Sequence, residues 1–116
     1  MAETKNTRRV AILGGNRIPF ARADGAYAHA SNQDMFTAVL DGLADRFDLK
    51  GTKLDAVIGG AVLKHSRDFN LMRECVLGSS LSSYTPAFDL QQACGLIVKM
   101  RDEGTAAATA LEGALR

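Results

Sequence analysis

The apolar positions of this chain fall into short blocks that alternate between continuous runs and helical spacing. Val10-Ala11-Ile12-Leu13 is a continuous apolar run closed by Gly14-Gly15. Such a run predicts a strand buried on both faces. Met35, Phe36, Val39, Leu40, Leu43 and Phe47 recur at helical spacing and predict an amphipathic helix of about four turns. Ser31 or Asn32 supplies its N-cap, with Asp34 in the first turn. Leu54 to Leu63 is rich in Val, Ile and Ala and predicts a second buried strand. Gly59-Gly60, in its middle or at its end, marks a bulge or a close backbone approach. Asn70 can cap a helix through Leu71, Met72, Cys75, Val76 and Leu77, stopped by Gly78. Thr85 to Gln92 is a third strand, with Pro86 at its beginning.

The intervening segments read as connections. Asn16 to Ala30 is a long loop of the kind that tends to carry function. Lys50 to Lys53 and Ser79 to Tyr84 are turns, and Lys64 to Phe69 is a polar loop. The order strand, helix, strand, helix, strand predicts an α/β fold, with a mainly parallel sheet and flanking helices. Residues 1–8 are polar and expected to be a disordered tail. After Gly95 the pattern changes. Leu96-Ile97-Val98 and Met100 are apolar, Lys99, Arg101, Asp102 and Glu103 are charged, and Thr105 to Leu115 is Ala-rich. Residues 96–116 are therefore expected to form a divergent helical tail, with Thr105 capping a short helix.

Composition narrows the function classes. In 116 residues, 47% are hydrophobic and 23% charged, enough for one globular domain with a modest core. A formal net charge of +1 gives no field to attract nucleic acid or a membrane surface. No apolar run approaches the roughly 20 residues of a membrane span. The N-terminus lacks the apolar core of a secretory signal, so a cytoplasmic location is expected. The two cysteines, Cys75 and Cys94, make no disulfide framework and match no zinc spacing, so no metal site is expected.

The candidate chemistry lies at Cys94. A strand-like run leads into Cys94 and Gly95. A helix starting there would set the sulfur at its N-terminus, where free N–H groups and the helix dipole favour thiolate. That is one way to make a sulfur nucleophile near neutral pH. The bland alternative is a buried apolar cysteine, which is also the reading of Cys75. His29 and His65 sit in loops and read as solvated. Gly14-Gly15 lacks the third glycine of a dinucleotide-binding turn. Arg17 and Arg73 could bind an anion but read as ties between loops.

From Arg9 to Gly95 the chain resembles the N-terminal part of the thiolases, the acyl-CoA C-acyltransferases. Arg17-Ile18-Pro19-Phe20 resembles the segment after the family's first strand. Leu54 to Leu63 resembles its Val-x-Gly-x-Val strand. Asn70-Leu71-Met72-Arg73 resembles its Asn-x-x-Arg helix start. Gln92-Ala93-Cys94-Gly95 lies where the family carries its acyl-accepting cysteine. The likeness is nearest to the bacterial fatty-acid degradation subgroup. It implies an incomplete thiolase-like N-terminal half-domain over residues 9–95, with Cys94 as the acyl-accepting nucleophile. It also implies acyl-CoA as substrate, a CoA thioester rather than a resident cofactor, and homo-oligomers in the family.

The likeness stops at Gly95, which is followed by Leu96-Ile97-Val98-Lys99 rather than a small-residue helix. The family's Gly-His-Pro histidine, its Cys-x-Gly-Gly cysteine and its Asn-Glu-Ala-Phe asparagine have no counterpart. The expectation is a truncated or rearranged member, inactive alone. Two alternatives stand beside it: a non-catalytic interaction module, and a fragment of a ketoacyl-synthase-like condensing enzyme.

Overall fold

The first helix starts where its cap chemistry dictates. Ser31 takes an extended backbone, and its Oγ accepts the Asp34 N–H at 3.1 Å. The Asp34 carboxylate in turn accepts the Ser31 N–H at 2.8 Å. This reciprocal box satisfies two N–H groups that the helix would otherwise leave unpaired. Helix α1 then runs Asn32–Phe47. It ends at Asp48, whose left-handed backbone (φ 55°) lets the Asp48 and Leu49 N–H groups both turn back to the Ala44 carbonyl. Gly51, at φ 69°, completes the turn that the Lys50–Lys53 pattern predicts.

The computed structural model describes residues 11–22 and 24–91, with the backbone of residues 108 and 109. After α1 come strand β1 (Val57–Gly59), helix α2 (Leu71–Gly78) and strand β2 (Ala87–Asp89). β1 and β2 run parallel, Val57 opposite Ala87, Ile58 opposite Phe88 and Gly59 opposite Asp89. Helix α2 is thus the crossover of a βαβ unit, the connection that parallel neighbours require. The chain is α/β, as the alternating pattern predicts.

Side-chain alternation along β1 sorts the core. Val57 packs with Phe36, Val39, Leu40 and Ala44 of α1 and with Leu71, Met72, Cys75 and Val76 of α2. Ile58 points to the other face, with Ala56 and Leu90 packed against it. Cys75 is fully buried in the main cluster and its Sγ lies 3.7 Å from the Gln33 carbonyl, so it is the core residue expected. Gly59 faces α2 at close range. A Cβ there would run into the Met72 thioether, with Cγ at 2.8 Å and Cε at 2.9 Å. Glycine is what lets α2 lie this near the sheet.

Three expectations are corrected. The run Val10–Leu13 is not a strand over its described part: Ala11–Leu13 pair with no described residue, and Ile12 and Leu13 are 92% and 83% exposed. A two-faced buried strand needs neighbours on both sides, and the following residues instead lie across α1. There Asn16 Nδ2 donates to the Val39 carbonyl at 3.2 Å and Arg46 donates to the Gly15 carbonyl at 2.7 Å. The strand expected over Leu54–Leu63 is only Val57–Gly59, and the one over Thr85–Gln92 only Ala87–Asp89. At their starts the Leu54 N–H bonds the Thr85 hydroxyl rather than a strand partner. Thirdly, Ala108–Thr109 form a short strand β3 parallel to β1 within the span expected to be helical. The free edge of β1 carries buried backbone groups, and pairing satisfies them. The tail expected over residues 1–8 lies outside the described residues, as does the rest of residues 96–116.

Two measurements probe this architecture. Gly59→Ala is expected to lower stability by about 1–3 kcal/mol through overpacking. Urea unfolding should show a smaller penalty when Met72→Ala is combined with it. Asp34 is held below the usual carboxylate range, first by the Ser31 backbone N–H and then by the Ser31 hydroxyl. A depressed folded pKa gives stability that is present above the unfolded value of about 3.9 and is lost as pH falls through the folded value. The stability deficit of Asp34→Ala should therefore be full at neutral pH and fade below about pH 4.

Candidate functional site

Parallel β1 and β2 end side by side, and in a sheet of this kind the carboxyl edge is where ligands and reacting groups collect. The edge is built from Gly59-Gly60, from Asp89-Leu90-Gln91 and from the start of α2. The Leu90 N–H donates to the Gly59 carbonyl at 2.8 Å and extends the ladder past β2. Gly60 lies against that same turn: a Cβ on it would stand 2.5 Å from the Leu90 carbonyl oxygen. Two glycines in succession therefore let a helix approach on one face and a backbone approach at the edge.

Asp89 organises this edge. Its carboxylate accepts the Leu71 N–H at 2.9 Å and the Met72 N–H at 2.8 Å, the first free donors of α2. The same carboxylate pairs with Lys64 Nζ at 2.5 Å, and the two side chains are only 10% and 18% exposed. Asn70 makes the neighbouring ties. Its Oδ1 accepts the Arg73 N–H at 3.1 Å, and its Nδ2 donates to the Ala87 carbonyl at 3.3 Å. Arg73 reaches forward from α2, donating to the Thr85 carbonyl at 2.7 Å and the Ser83 carbonyl at 2.6 Å. The Asn70-x-x-Arg73 motif is thus a fastener between α2 and the approach to β2, with Asn70 the expected cap and Arg73 the expected tie. Among the described residues Arg17 donates to the adjacent Ile18 carbonyl, at 3.4 Å, and ties no second loop.

Cys94, the candidate nucleophile of the sequence, lies outside the described residues. The chain that leads toward it is described up to Gln91. Sequence reading missed Asp89 and Lys64. The available signal was an aspartate inside a strand pattern, where aspartate is disfavoured unless its side chain has partners. His29 and His65, far apart in the sequence, come together in one shallow surface groove with Ser31, Ser66 and Arg67. An Asn32 side-chain bond to the Leu63 carbonyl, 2.9 Å, joins the start of α1 to the approach of the second loop. Asp68, though buried, is committed to the His65 N–H at 3.1 Å. Among the described residues no group of three or more His, Cys, Asp or Glu could hold a metal ion. No described helix is long and apolar enough to cross a membrane.

Residues 10–98 match the family described as thiolase, N-terminal domain, a span that includes Cys94 and runs past Gly95. The chain is 35% identical over 91 residues to a 3-ketoacyl-CoA thiolase of Photorhabdus laumondii, covering 78% of this chain and 21% of that protein. It is 32% identical over 89 residues to the mitochondrial trifunctional enzyme subunit beta of Mus musculus, and 33% identical to the human one. Each of these two alignments covers 77% of this chain and 19% of the relative. The chain therefore spans about a fifth of the length of these relatives.

Removing the Asp89 carboxylate strands a largely buried ammonium and two helix N–H groups. Asp89→Ala is expected to cost about 3 kcal/mol in chemical unfolding. Asp89→Asn should cost less, because its amide oxygen still accepts one helix N–H.

Proposed function

The chain belongs to the thiolase family, and on that premise we propose that it carries the acyl-accepting part of an acyl-CoA C-acyltransferase, with Cys94 as nucleophile. The observation that carries this reading is the convergence of β1, β2 and the start of α2 at one sheet edge. The chain leaves that edge at Asp89, five positions before Cys94, inside the matched span. A cysteine delivered from such an edge to a helix start has the backbone N–H groups that stabilise a thiolate.

The substrate class proposed is the 3-ketoacyl-CoA thioester, in keeping with the named activity of the Photorhabdus relative. The Cys94 thiolate attacks the 3-keto carbon. The bond between C2 and C3 breaks, and its electron pair passes to the enolate of acetyl-CoA, which leaves after taking a proton. The acyl group stays on sulfur until the thiol of a second CoA attacks it and releases the Cys94 thiolate. Two requirements follow: oxyanion stabilisation of the tetrahedral and enolate charges, and a proton shuttle. The Cys94 backbone N–H is proposed as one oxyanion donor.

Neither His29 nor His65 stands in the family's Gly-His-Pro context, and both line the shallow surface groove. We therefore propose that these residues support acylation of Cys94 but not full turnover. A cytoplasmic location and assembly with further copies of the family fold complete the proposal.

The test separates the two halves of the reaction. With Cys75→Ser as background, iodoacetamide alkylation of Cys94 should show a midpoint well below the free-thiol value of about 8.5. Incubation with acetyl-CoA should place a single acetyl group on the Cys94 peptide, absent in Cys94→Ser. Thiolysis of acetoacetyl-CoA should be negligible. A midpoint at or above the free-thiol value, with no acetyl adduct, would remove the enzymatic reading.

A further inference from the structure

The groove between the first long loop and the loop after β1 gathers charged side chains that the reading of Cys94 does not use. It encloses about 410 Å³, with His29 and Ser31 on one side and His65, Ser66 and Arg67 on the other. That volume lies in the range of small-ligand sites.

Main-chain bonds shape both walls. On one side the Gly25 and Tyr27 carbonyls accept the Ala28 and Ala30 N–H groups at 3.1 and 3.0 Å. On the other, the Asp68 N–H donates to the His65 carbonyl at 2.9 Å, and the buried Asp68 carboxylate accepts the His65 N–H at 3.1 Å. These two bonds close a turn with Ser66 and Arg67 at its tip. The turns are built without the side chains of His29, His65 and Arg67, which make no hydrogen bond among the described residues. Arg46 and Arg73, by contrast, spend theirs on carbonyls, and Lys50 and Lys64 on carboxylates.

Charge decides what such a groove takes. The Asp34 carboxylate is stabilised first by the Ser31 N–H, then by the Ser31 hydroxyl, and also by the field of Arg67. It is spent on the cap of α1, accepting both Ser31 groups at 2.8 Å. Arg67 and Asp34 offset each other, so the two imidazoles set the sign of the groove. Histidine changes charge between about pH 5 and 8. When both rings are protonated, cations from two walls face one opening, and a bound anion relieves their repulsion. Asp68 is committed to its own turn and Lys64 to Asp89, while Arg22 and Asp24 of the first loop do not line the groove.

We propose that this groove is a proton-gated oxyanion site, in which His29, His65 and Arg67 together hold a phosphate group, free or esterified, with the Ser66 hydroxyl as a further donor. The Arg67 guanidinium supplies a planar fork matched to a tetrahedral oxyanion, and the imidazolium rings donate from both walls. The site is built wholly from described residues and stands whether or not Cys94 is acylated.

The chain holds two histidines, so proton NMR of the imidazole region reads both walls of the groove directly. Sodium sulfate is the first probe, because its charge is constant between about pH 5 and 8. Inorganic phosphate is the second, and sodium chloride at matched ionic strength is the control. At about pH 5.5 both imidazole signals should shift along one saturating curve with sulfate and with phosphate, and not with chloride. Sulfate binding should weaken roughly tenfold or more by about pH 8, and bound sulfate should raise both imidazole midpoints, since an anion favours the protonated ring. Arg67→Ala should weaken sulfate binding roughly tenfold, the loss of one charge-assisted hydrogen bond. His29→Gln, read at the His65 signal, should do the same. These side chains are exposed, and an unchanged urea midpoint shows that each variant is folded; the wild-type curves test the site by themselves. Competition with coenzyme A against dephospho-CoA, which lacks the terminal phosphomonoester, assigns the source. Displacement of sulfate by the first alone supports the substrate's phosphate as occupant, and displacement by inorganic phosphate alone supports free phosphate. Chloride moving the signals as far as sulfate would overturn the site. So would two signals that follow different curves, or binding that does not weaken as pH rises.

Discussion

A single carboxylate joins the two halves of this βαβ unit. Strand β2 is three residues long, and a ladder of that length binds weakly. Asp89 adds an attachment in a second direction. Its backbone belongs to the sheet while its side chain caps α2, so strand and helix cannot separate without exposing two N–H groups and an ammonium. Asn70 and Arg73 repeat the arrangement from the helix side, reaching back to Ala87, Thr85 and Ser83. The sheet edge is fixed more by side chains clasping main chain than by strand pairing.

Local chemistry made the helices legible. Ser31 and Asp34 mark the start of α1, and a stripe of apolar residues sets its buried face. Asn70 and Gly78 bracket α2. The parallel order followed from alternation of element types, and the packing role of Gly59 from its place in an apolar run. Strand extent was not legible, because apolar character reports burial and not pairing. Ala61 packs against the core and Val62 and Leu63 are exposed, but none of the three joins the sheet. Ala11–Leu13 carry the same signal with no partner strand among the described residues.

The site was legible only in part, for a different reason. Asn70 was legible as the cap of α2 and Arg73 as a tie, the roles that their bonds to the Arg73 N–H and to the Thr85 and Ser83 carbonyls fill. The Lys64–Asp89 pair joins positions on a loop and a strand with no periodic relation, and pattern along the chain is silent about it. The meeting of His29 with His65 has the same character. Nothing near either histidine announces the other, and the Asn32 to Leu63 bond that joins the start of α1 to the approach of the second loop is invisible to periodicity. Cys94 stands at the opposite extreme, conspicuous in the sequence and outside the described residues.

The close seat of α2 on the sheet carries a consequence for how the chain folds. Val57 finds Ala87 only after the whole crossover has been traversed, so the entropy of closing that loop is spent before the ladder returns anything. An eight-residue helix is too short to persist alone in water. Neither the helix nor the pairing can therefore form first and wait for the other. Met72 settling over the bare backbone of Gly59 is the contact that makes both worthwhile at once. Helix and strand pairing are stabilised together through that contact between a thioether and a glycine.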